Sequence, residues 1–294
     1  MKLPRRTIAA ALAAVFLAFA SSLAVFSALA QGWRQGPLQP AQTTDTTVDL
    51  ELILAVDISL SMDMDELRVQ RSGYTAALRD PEVQKSMLDG PRGRIAVAYF
   101  EWAGQAIQLP IATWTLIDSP QAANALADLI DRAPISRHRF TSISGAMLFA
   151  ERQFDQSPWR SIRRVLDISG DGPNNNGPPV TDTRERLLDQ GIVINGLPLI
   201  LKQGGSVFDL ANLDIYYSDC VIGGPASFVI PVKSIEEFAP AIRRKILLEV
   251  AGIDPPAQVI RTQGTPQPDA PRIDCLIGEK MWRRYMEGGG WMDR

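Results

Sequence analysis

The stretch that most constrains the fold lies at residues 50–62, where an apolar run changes abruptly into alternating polar residues. Residues 52–56 are all apolar, and Asp57, Ser59 and Ser61 then occupy every second position. Such a run is typical of a central strand that is buried on both faces of a sheet. The polar residues would follow at the strand's end, where open α/β sheets bind ligands. Because alternate oxygen-bearing side chains can converge on one point, the stretch predicts a site for a hard cation.

Strand and helix patterns alternate along most of the chain. Further strands are predicted at 95–100, 163–169, 192–200 and 226–232, and helices at 63–79, 119–132, 141–154, 181–190 and 234–250. The segment 105–111 contains Pro110 near its end, which predicts a hairpin partner at the edge of the sheet. The alternation predicts a Rossmann-like α/β fold with a doubly wound, mostly parallel central sheet and one antiparallel edge strand.

The first thirty residues predict an export signal. Three basic residues precede an apolar run that begins at Thr7, and residues 28–30 (Ala-Leu-Ala) fit a signal cleavage site. We therefore expect a secretory signal peptide at 1–30, cut after Ala30, and a periplasmic or secreted protein. Because the apolar run is long, an uncleaved N-terminal membrane anchor is the alternative interpretation.

The remaining chain divides into three predicted parts. Residues 31–47 are rich in Gln, Thr, Pro and Gly, which predicts a linker. Residues 48–251 form the predicted domain, and 252–294 form a Pro- and Gly-rich tail with a short helix near 278–286. The cysteines of the chain are Cys220 and Cys275. In an oxidising compartment the plain interpretation is one disulfide that ties the tail to the domain.

The net charge of the chain is −3 at pH 7, and loss of the signal peptide would make it more acidic. A mildly acidic exported protein does not attract nucleic acid or anionic lipid through its overall electrostatic field. We therefore expect neither nucleic acid nor a membrane surface as a partner, apart from the alternative N-terminal anchor.

Three predicted loops at one edge of the sheet carry oxygen ligands, in the order Asp57/Ser59/Ser61, Thr141 and Asp171. This order resembles the von Willebrand factor type A (vWA) domain with its metal-ion-dependent adhesion site (MIDAS). In that family D-x-S-x-S follows the first strand, a threonine opens a middle helix, and an aspartate before glycine follows the fourth strand. The chain is also similar to an uncharacterised group of exported bacterial proteins built on this domain.

The resemblance implies one divalent cation held by these five side chains. Oxygen ligands without sulfur or imidazole favour Mg²⁺, with Mn²⁺ or Ca²⁺ as alternatives, over zinc or copper. Two of the five ligands are charged, so the ion stays electrophilic and keeps an open position. The resemblance implies that a Glu or Asp carboxylate of a partner protein takes that position. We therefore expect an adhesion-type protein-binding domain and not an enzyme.

Two departures from the family pattern concern the second and third loops. Arg139 and Phe140 stand where the family often has glycines before the threonine, and Ser169 with Gly170 replaces the usual apolar-threonine pair before the aspartate. These changes concern the backbone of the loops and leave the kinds of ligand unchanged.

Two other functions are compatible with the sequence. A hydrolase would use Ser59 or Ser61 as the nucleophile and His138, the single histidine, as its base. The chain has no G-x-S-x-G, Walker or H-E-x-x-H motif to support that interpretation. A metal-independent structural protein of the cell envelope would show no change in thermal stability when Mg²⁺ or EDTA is added.

Overall fold

The computed structural model describes residues 45–201, 209–251, 260–261 and 273–288. The predicted signal peptide 1–30 lies outside the described residues, as do most of the predicted linker 31–47 and the remainder of the tail. The division into signal peptide, linker, domain and tail therefore stays a prediction. Within the described residues, no helix combines the length and the apolarity needed to span a membrane.

In this part of the chain one sheet has seven strands in the order β3-β2-β1-β4-β5-β6-β7. The strands are β1 (Glu51–Asp57), β2 (Ile95–Trp102), β3 (Gln108–Ile117), β4 (Arg164–Gly170), β5 (Ile192–Pro198), β6 (Phe228–Val229) and β7 (Ile260–Arg261). The α-helices are α1 (Met64–Arg79), α2 (Pro81–Leu88), α3 (Pro120–Arg132), α4 (Ile143–Asp155), α5 (Val180–Leu188), α6 (Leu213–Tyr216), α7 (Phe238–Ala251) and α8 (Ile277–Glu287).

Strand β1 lies in the middle of the sheet, between the parallel strands β2 and β4. All seven of its residues are buried. Leu52, Leu54 and Val56 pack into an apolar cluster with α1, α3 and α7, whereas Ile53 and Ala55 pack with α4 and α5 on the other face. Because side chains alternate across a strand, a continuous apolar run requires this cover on both faces. The predicted α/β fold is confirmed.

The two edges of the sheet differ from the prediction in detail. Strand β3 pairs antiparallel with β2, as predicted, but continues past the predicted segment 105–111 to Ile117. Near the other edge the predicted strand 226–232 is reduced to β6, which begins after Ala226, a residue with a positive φ. Ile230 and Val232 still donate to backbone carbonyls of β5. Strand β7 pairs antiparallel with β6 and was not predicted.

The starts of α1 and α4 place the ligand loops. Asp63 caps α1 by accepting the N–H groups of Asp65 and Glu66, and the Glu66 side chain accepts the N–H of Asp63. Helix α4 begins two residues later than predicted, because Ser142 is its N-cap and accepts the N–H of Gly145. This leaves Thr141 in the loop, outside the helix.

Cys220 and Cys275 form a disulfide bond, as predicted. Cys220 lies in the π-helical turn Tyr217–Val221 that follows α6, and Cys275 lies just before α8. The disulfide therefore attaches the C-terminal helix to the body of the domain.

Candidate metal-binding site

The loop after β1 folds back onto Asp57. The Ser59 N–H donates to Asp57 Oδ1 at 2.7 Å, a turn that aspartates commonly form with the backbone two residues on. The Ile58 N–H donates to the Trp102 carbonyl at 2.8 Å, and the His138 N–H donates to the Ile58 carbonyl at 3.0 Å. These bonds hold the loop between its neighbours, and Asp57 is completely buried beneath it.

Asp171 meets the two serines of this loop. Asp171 directly follows β4, which is the parallel neighbour of β1. Asp171 and the loop after β1 therefore lie at the same carboxyl edge of the sheet. Its Oδ1 accepts a hydrogen bond from Ser61 Oγ at 2.6 Å and lies 3.5 Å from Ser59 Oγ. The two serine oxygens are 2.8 Å apart. Three oxygens from two distant parts of the sequence therefore converge, as a hard cation requires.

The Asp57 carboxyl is held in an unusual electrostatic environment. Burial raises the pKa of Asp57 well above its usual value, and the charge of Asp171 raises it further. Within the described residues, Asp57 Oδ2 and the Tyr217 hydroxyl are both buried without a hydrogen-bond partner. Burial raises the pKa of Tyr217 as well, with Asp57 and Asp171 adding to the effect. A bound cation would offset the cost of burying this carboxylate.

The departure at Gly170 has a steric reason. A Cβ on Gly170 would lie 2.9 Å from both Asp57 Oδ2 and the Tyr217 hydroxyl oxygen. Any side chain at this position would push the Asp57 carboxylate or the tyrosine aside. Glycine therefore lets β4 end directly against the buried carboxylate.

Thr141 belongs to the same site through its neighbour Asn175. The Thr141 N–H donates to Asn175 Oδ1 at 2.9 Å, and the Asn175 N–H donates to the Thr141 carbonyl at 2.8 Å. A Cβ on Gly172 would lie 3.7 Å from Thr141 Oγ1, so the hydroxyl faces the turn after β4. Thr141, Ser59, Ser61 and Asp171 all line one cavity of about 260 Å³. The structure thus brings all five predicted residues to one place, with Asp57 below the cavity.

Asn174 and Asn176 connect the loops in the same way. Asn174 Oδ1 accepts the backbone N–H of Ser144 at 3.0 Å and the hydroxyl of Ser144 at 3.1 Å. Asn176 Oδ1 accepts the N–H of Gln105 at 2.8 Å. Turn chemistry alone is enough to explain an Asn-Asn-Asn run in a sequence. The structural role of these asparagines was therefore missed, because their partners are distant in the sequence.

Phe140 has a left-handed backbone conformation, with φ at 72°, which glycine adopts more readily than other residues. At this position the vWA family, which the sequence resembles, often has glycine. The Phe140 ring packs edge-to-face against Trp282, with ring centroids 4.9 Å apart. The departure therefore places an aromatic ring at the cavity.

The other wall of the cavity comes from the C-terminal helix α8. Gly278, Met281, Trp282 and Tyr285 line the cavity from α8. The sequence predicts this helix at 278–286, but as part of a tail and not as part of a site. The helical spacing of these residues indicates a common face, although spacing alone does not tell what that face covers.

The His138 ring is hydrogen-bonded to a residue of its own loop. The backbone of His138 pairs with the loop of Ser59, but among the described residues its ring nitrogen Nε2 bonds to Ser136 Oγ at 3.3 Å. A serine nucleophile needs a base within hydrogen-bond reach. This geometry does not support the hydrolase interpretation.

The residues present fit a hard divalent cation. Two carboxylates, from Asp57 and Asp171, match its charge, and three hydroxyls from Ser59, Ser61 and Thr141 add neutral oxygens. Among the described residues, no three His, Cys, Asp or Glu side chains cluster as a metal site on their own.

The profile of the family described as "Protein of unknown function (DUF1194)" matches residues 47–254. No curated protein matches the chain. Among solved structures, proximal thread matrix protein 1 from the mussel byssus, with a zinc-occupied MIDAS motif, has a TM-score of 0.51 and 17% identity over 70% of this chain and 47% of that chain. The pilus adhesin SpaC from Lactobacillus rhamnosus GG has a TM-score of 0.50 and 9% identity over 69% of this chain and 31% of that chain.

A von Willebrand factor type A structure from Catenulispora acidiphila has a TM-score of 0.47 and 15% identity over 69% of this chain and 43% of that chain. The chain therefore spans about half or less of the length of these three structures. At such identities the likeness concerns the fold alone. The mussel protein and SpaC, with TM-scores of 0.51 and 0.50, confirm the predicted vWA-type fold.

Proposed function

Because the chain belongs to the family described as "Protein of unknown function (DUF1194)" and has the vWA fold, we propose that it is an exported, metal-dependent protein-binding domain. It holds one divalent cation and uses it to bind an acidic side chain of a partner protein. The observation that carries this proposal is the convergence of Ser59, Ser61 and Asp171 above the buried carboxylate of Asp57.

Asp57, Ser59, Ser61, Thr141 and Asp171 would hold the ion. Mg²⁺ is the proposed metal, since oxygen ligands favour it, and Mn²⁺ or Ca²⁺ would fit the same set. The zinc in the mussel protein belongs to that protein's MIDAS motif. When bound, the ion would supply an electrophilic position for an outside carboxylate. The role of this chain is to position the oxygens and to keep Asp57 out of water.

The proposed partner is a protein that offers a Glu or Asp carboxylate. SpaC, which shares the fold, is a pilus adhesin, and this supports a binding role. The predicted signal peptide at 1–30 supports a periplasmic or secreted location. We propose that the metal ligands all lie in residues 48–251, and we propose no enzymatic reaction, because the His138 ring bonds to Ser136.

Metal binding by the purified exported protein tests the proposal. We expect Mg²⁺ to raise the melting temperature and EDTA to reverse the change, because a ligand that binds only the folded state stabilises it. At an ion concentration of 100 times Kd the free energy of unfolding should rise by about 2.7 kcal/mol. Titration calorimetry gives the affinity directly.

Asp57→Ala should abolish this binding with little loss of fold, and Asp57→Asn is the companion variant because it keeps the size of the buried side chain. The matched control is Asp65→Asn, which removes a carboxylate whose side chain is 87% exposed. The control should bind Mg²⁺ like the unmodified protein. Unchanged Mg²⁺ affinity in both Asp57 variants would contradict the site. Absence of any Mg²⁺ or EDTA effect would favour the metal-independent structural protein.

A further inference from the structure

The C-terminal helix α8 is fixed against the candidate site by several independent contacts. The Cys220–Cys275 disulfide holds its beginning, and Asn174 Nδ2 donates to Glu279 Oε1 at 2.7 Å. A Cβ on Gly278 would lie 2.1 Å from the Asn174 carbonyl oxygen, so the helix backbone contacts the loop after β4 directly. Helix α8 is therefore a wall of the cavity and is anchored to the same loop that carries Asp171.

This wall is aromatic where it faces the cavity. Trp282 contacts Phe140 at a centroid distance of 4.9 Å and Tyr285 at 5.8 Å. All three rings line the cavity and are half-buried. Phe140 presents its ring from a left-handed backbone conformation, which is unfavourable for an L-residue. The aromatic group thus combines residues from two distant parts of the chain.

The cavity is consequently divided into a polar floor and an apolar wall. Ser59, Ser61, Thr141 and Asp171 form the floor, and Arg139 also lines the cavity. Its volume of about 260 Å³ suits one or two side chains and is too small for a broad protein surface. An engineered apolar cavity of about 150 Å³ binds benzene, so a phenyl ring and a carboxylate fit together in this volume.

We propose that the ligand of this site is an acidic residue adjacent to an aromatic or large aliphatic residue in a partner protein, with the apolar side chain packed against Phe140, Trp282 and Tyr285. The inference rests on the proposed function, since the carboxylate goes to the ion. Helix α8 would then determine which partner binds. The ion held by the five oxygen ligands would bind the carboxylate that every such partner offers. Aromatic side chains on both sides of the contact suit the edge-to-face packing seen between Phe140 and Trp282.

Three blocked dipeptides test the proposal with the full exported protein in saturating Mg²⁺. The probes are acetyl-Glu-Phe-amide, acetyl-Glu-Ala-amide and acetyl-Gln-Phe-amide, and NMR chemical-shift titration measures their Kd. We expect acetyl-Glu-Phe-amide to bind about tenfold more tightly than acetyl-Glu-Ala-amide, because the phenyl ring leaves water. Binding of acetyl-Gln-Phe-amide, which lacks the carboxylate, should be lost, and EDTA should abolish binding of both acidic peptides.

Trp282→Ala should remove most of the preference for Phe over Ala and leave the Mg²⁺ affinity unchanged. Tyr285→Ala is the second variant, so that the result does not depend on one substitution that loosens α8. The matched control is Trp159→Ala, because Trp159 precedes β4 and so lies at the opposite end of that strand from Asp171. The control should keep the tenfold preference.

The outcomes separate this inference from the proposed function. Equal, Mg²⁺-dependent affinity for the two acidic peptides would overturn the inference and leave the proposed function standing. The inference would also be wrong if the preference survived in both α8 variants. If Mg²⁺ did not bind at all, the proposed function and the inference would fail together.

Discussion

At the scale of single residues, Phe140 shows how tertiary contact can outweigh backbone preference. A left-handed conformation costs an L-residue about 1–2 kcal/mol, and Phe140 adopts it with φ at 72°. An aromatic pair contributes about 0.5–1.5 kcal/mol beyond its buried area, so the contact with Trp282 offsets much of that cost. A glycine here would remove the strain and also the contact.

Substitutions at Phe140 test this balance. We expect Phe140→Ala to be less stable than Phe140→Gly by about 1 kcal/mol, because both lose the ring and only alanine keeps the strain. Urea unfolding followed by circular dichroism measures the difference. Ala127→Gly, within the buried face of α3, is the control and should show the ordinary order, with glycine the less stable residue. An alanine variant at 140 as stable as the glycine variant would show that no strain is stored there.

At the scale of elements, α8 depends on the domain for its position. It has 11 residues, which is short for an isolated helix in water. Its attachments include the disulfide, the hydrogen bond from Asn174 to Glu279 and the ring contact with Phe140. The part of the aromatic wall that α8 supplies therefore exists only while these tertiary contacts do.

Removal of the disulfide tests this dependence. We expect the double variant Cys220→Ser/Cys275→Ser to lose about 2–4 kcal/mol in the free energy of unfolding, since the crosslink constrains the unfolded chain. Hydrogen exchange should also accelerate in α8 while α4, in the apolar core, stays protected. Unchanged exchange in α8 would show that the noncovalent contacts are sufficient to hold the helix.

At the scale of the whole molecule, the free energy of unfolding depends on a buried cluster of charged side chains between β4 and α7. Lys245 of α7 forms ion pairs with Asp167 of β4 and with Glu249, and all three side chains are fully buried. The Tyr74 hydroxyl lies 3.4 Å from Asp167 Oδ2, and Asn195 Nδ2 donates to Glu249 Oε1 at 3.2 Å. One cation thus faces two carboxyl groups. Burial raises the pKa of Glu249 to about 7, even though Lys245 opposes the shift.

This pKa predicts the pH dependence of folding. Between pH 4.5, the ordinary value for Glu249, and pH 7 the folded state binds more protons than the unfolded state. The free energy of unfolding should therefore fall as pH rises through this window, and Glu249 by itself contributes at most about 3 kcal/mol to this fall. The pKa of Asp167 is also raised by burial, which acts in the same direction.

Urea unfolding at pH 5, 6, 7 and 8 measures the slope. Glu249→Gln should reduce the slope, because the Glu249 carboxyl no longer titrates while Asp167 remains paired with Lys245. Glu185→Gln, whose side chain is 60% exposed, should retain the slope of the unmodified protein. A Glu249→Gln variant with an unchanged slope would assign the pH dependence to other groups.

Much of the fold and the position of the candidate ligands at one edge of the sheet could be predicted from the sequence, because both depend on local pattern. The apolar run at 52–56 identifies β1, and strands that alternate with helices place their carboxyl ends at one edge of the sheet. Asp57, Ser59 and Ser61 follow directly from that topology, and Thr141 and Asp171 follow from the resemblance to the vWA domain. Their role as metal ligands remains a prediction.

Only the tertiary structure decided what surrounds those oxygens. The asparagines at 174–176, the ring of Phe140 and the face of α8 act through partners distant in the sequence. No local pattern encodes such a contact, because helical spacing indicates an apolar face without indicating what packs on it. The sequence by itself determined which oxygen-bearing side chains stand at this edge of the sheet, because local pattern sets the strand ends, and long-range packing decided the shape of the cavity that lies there.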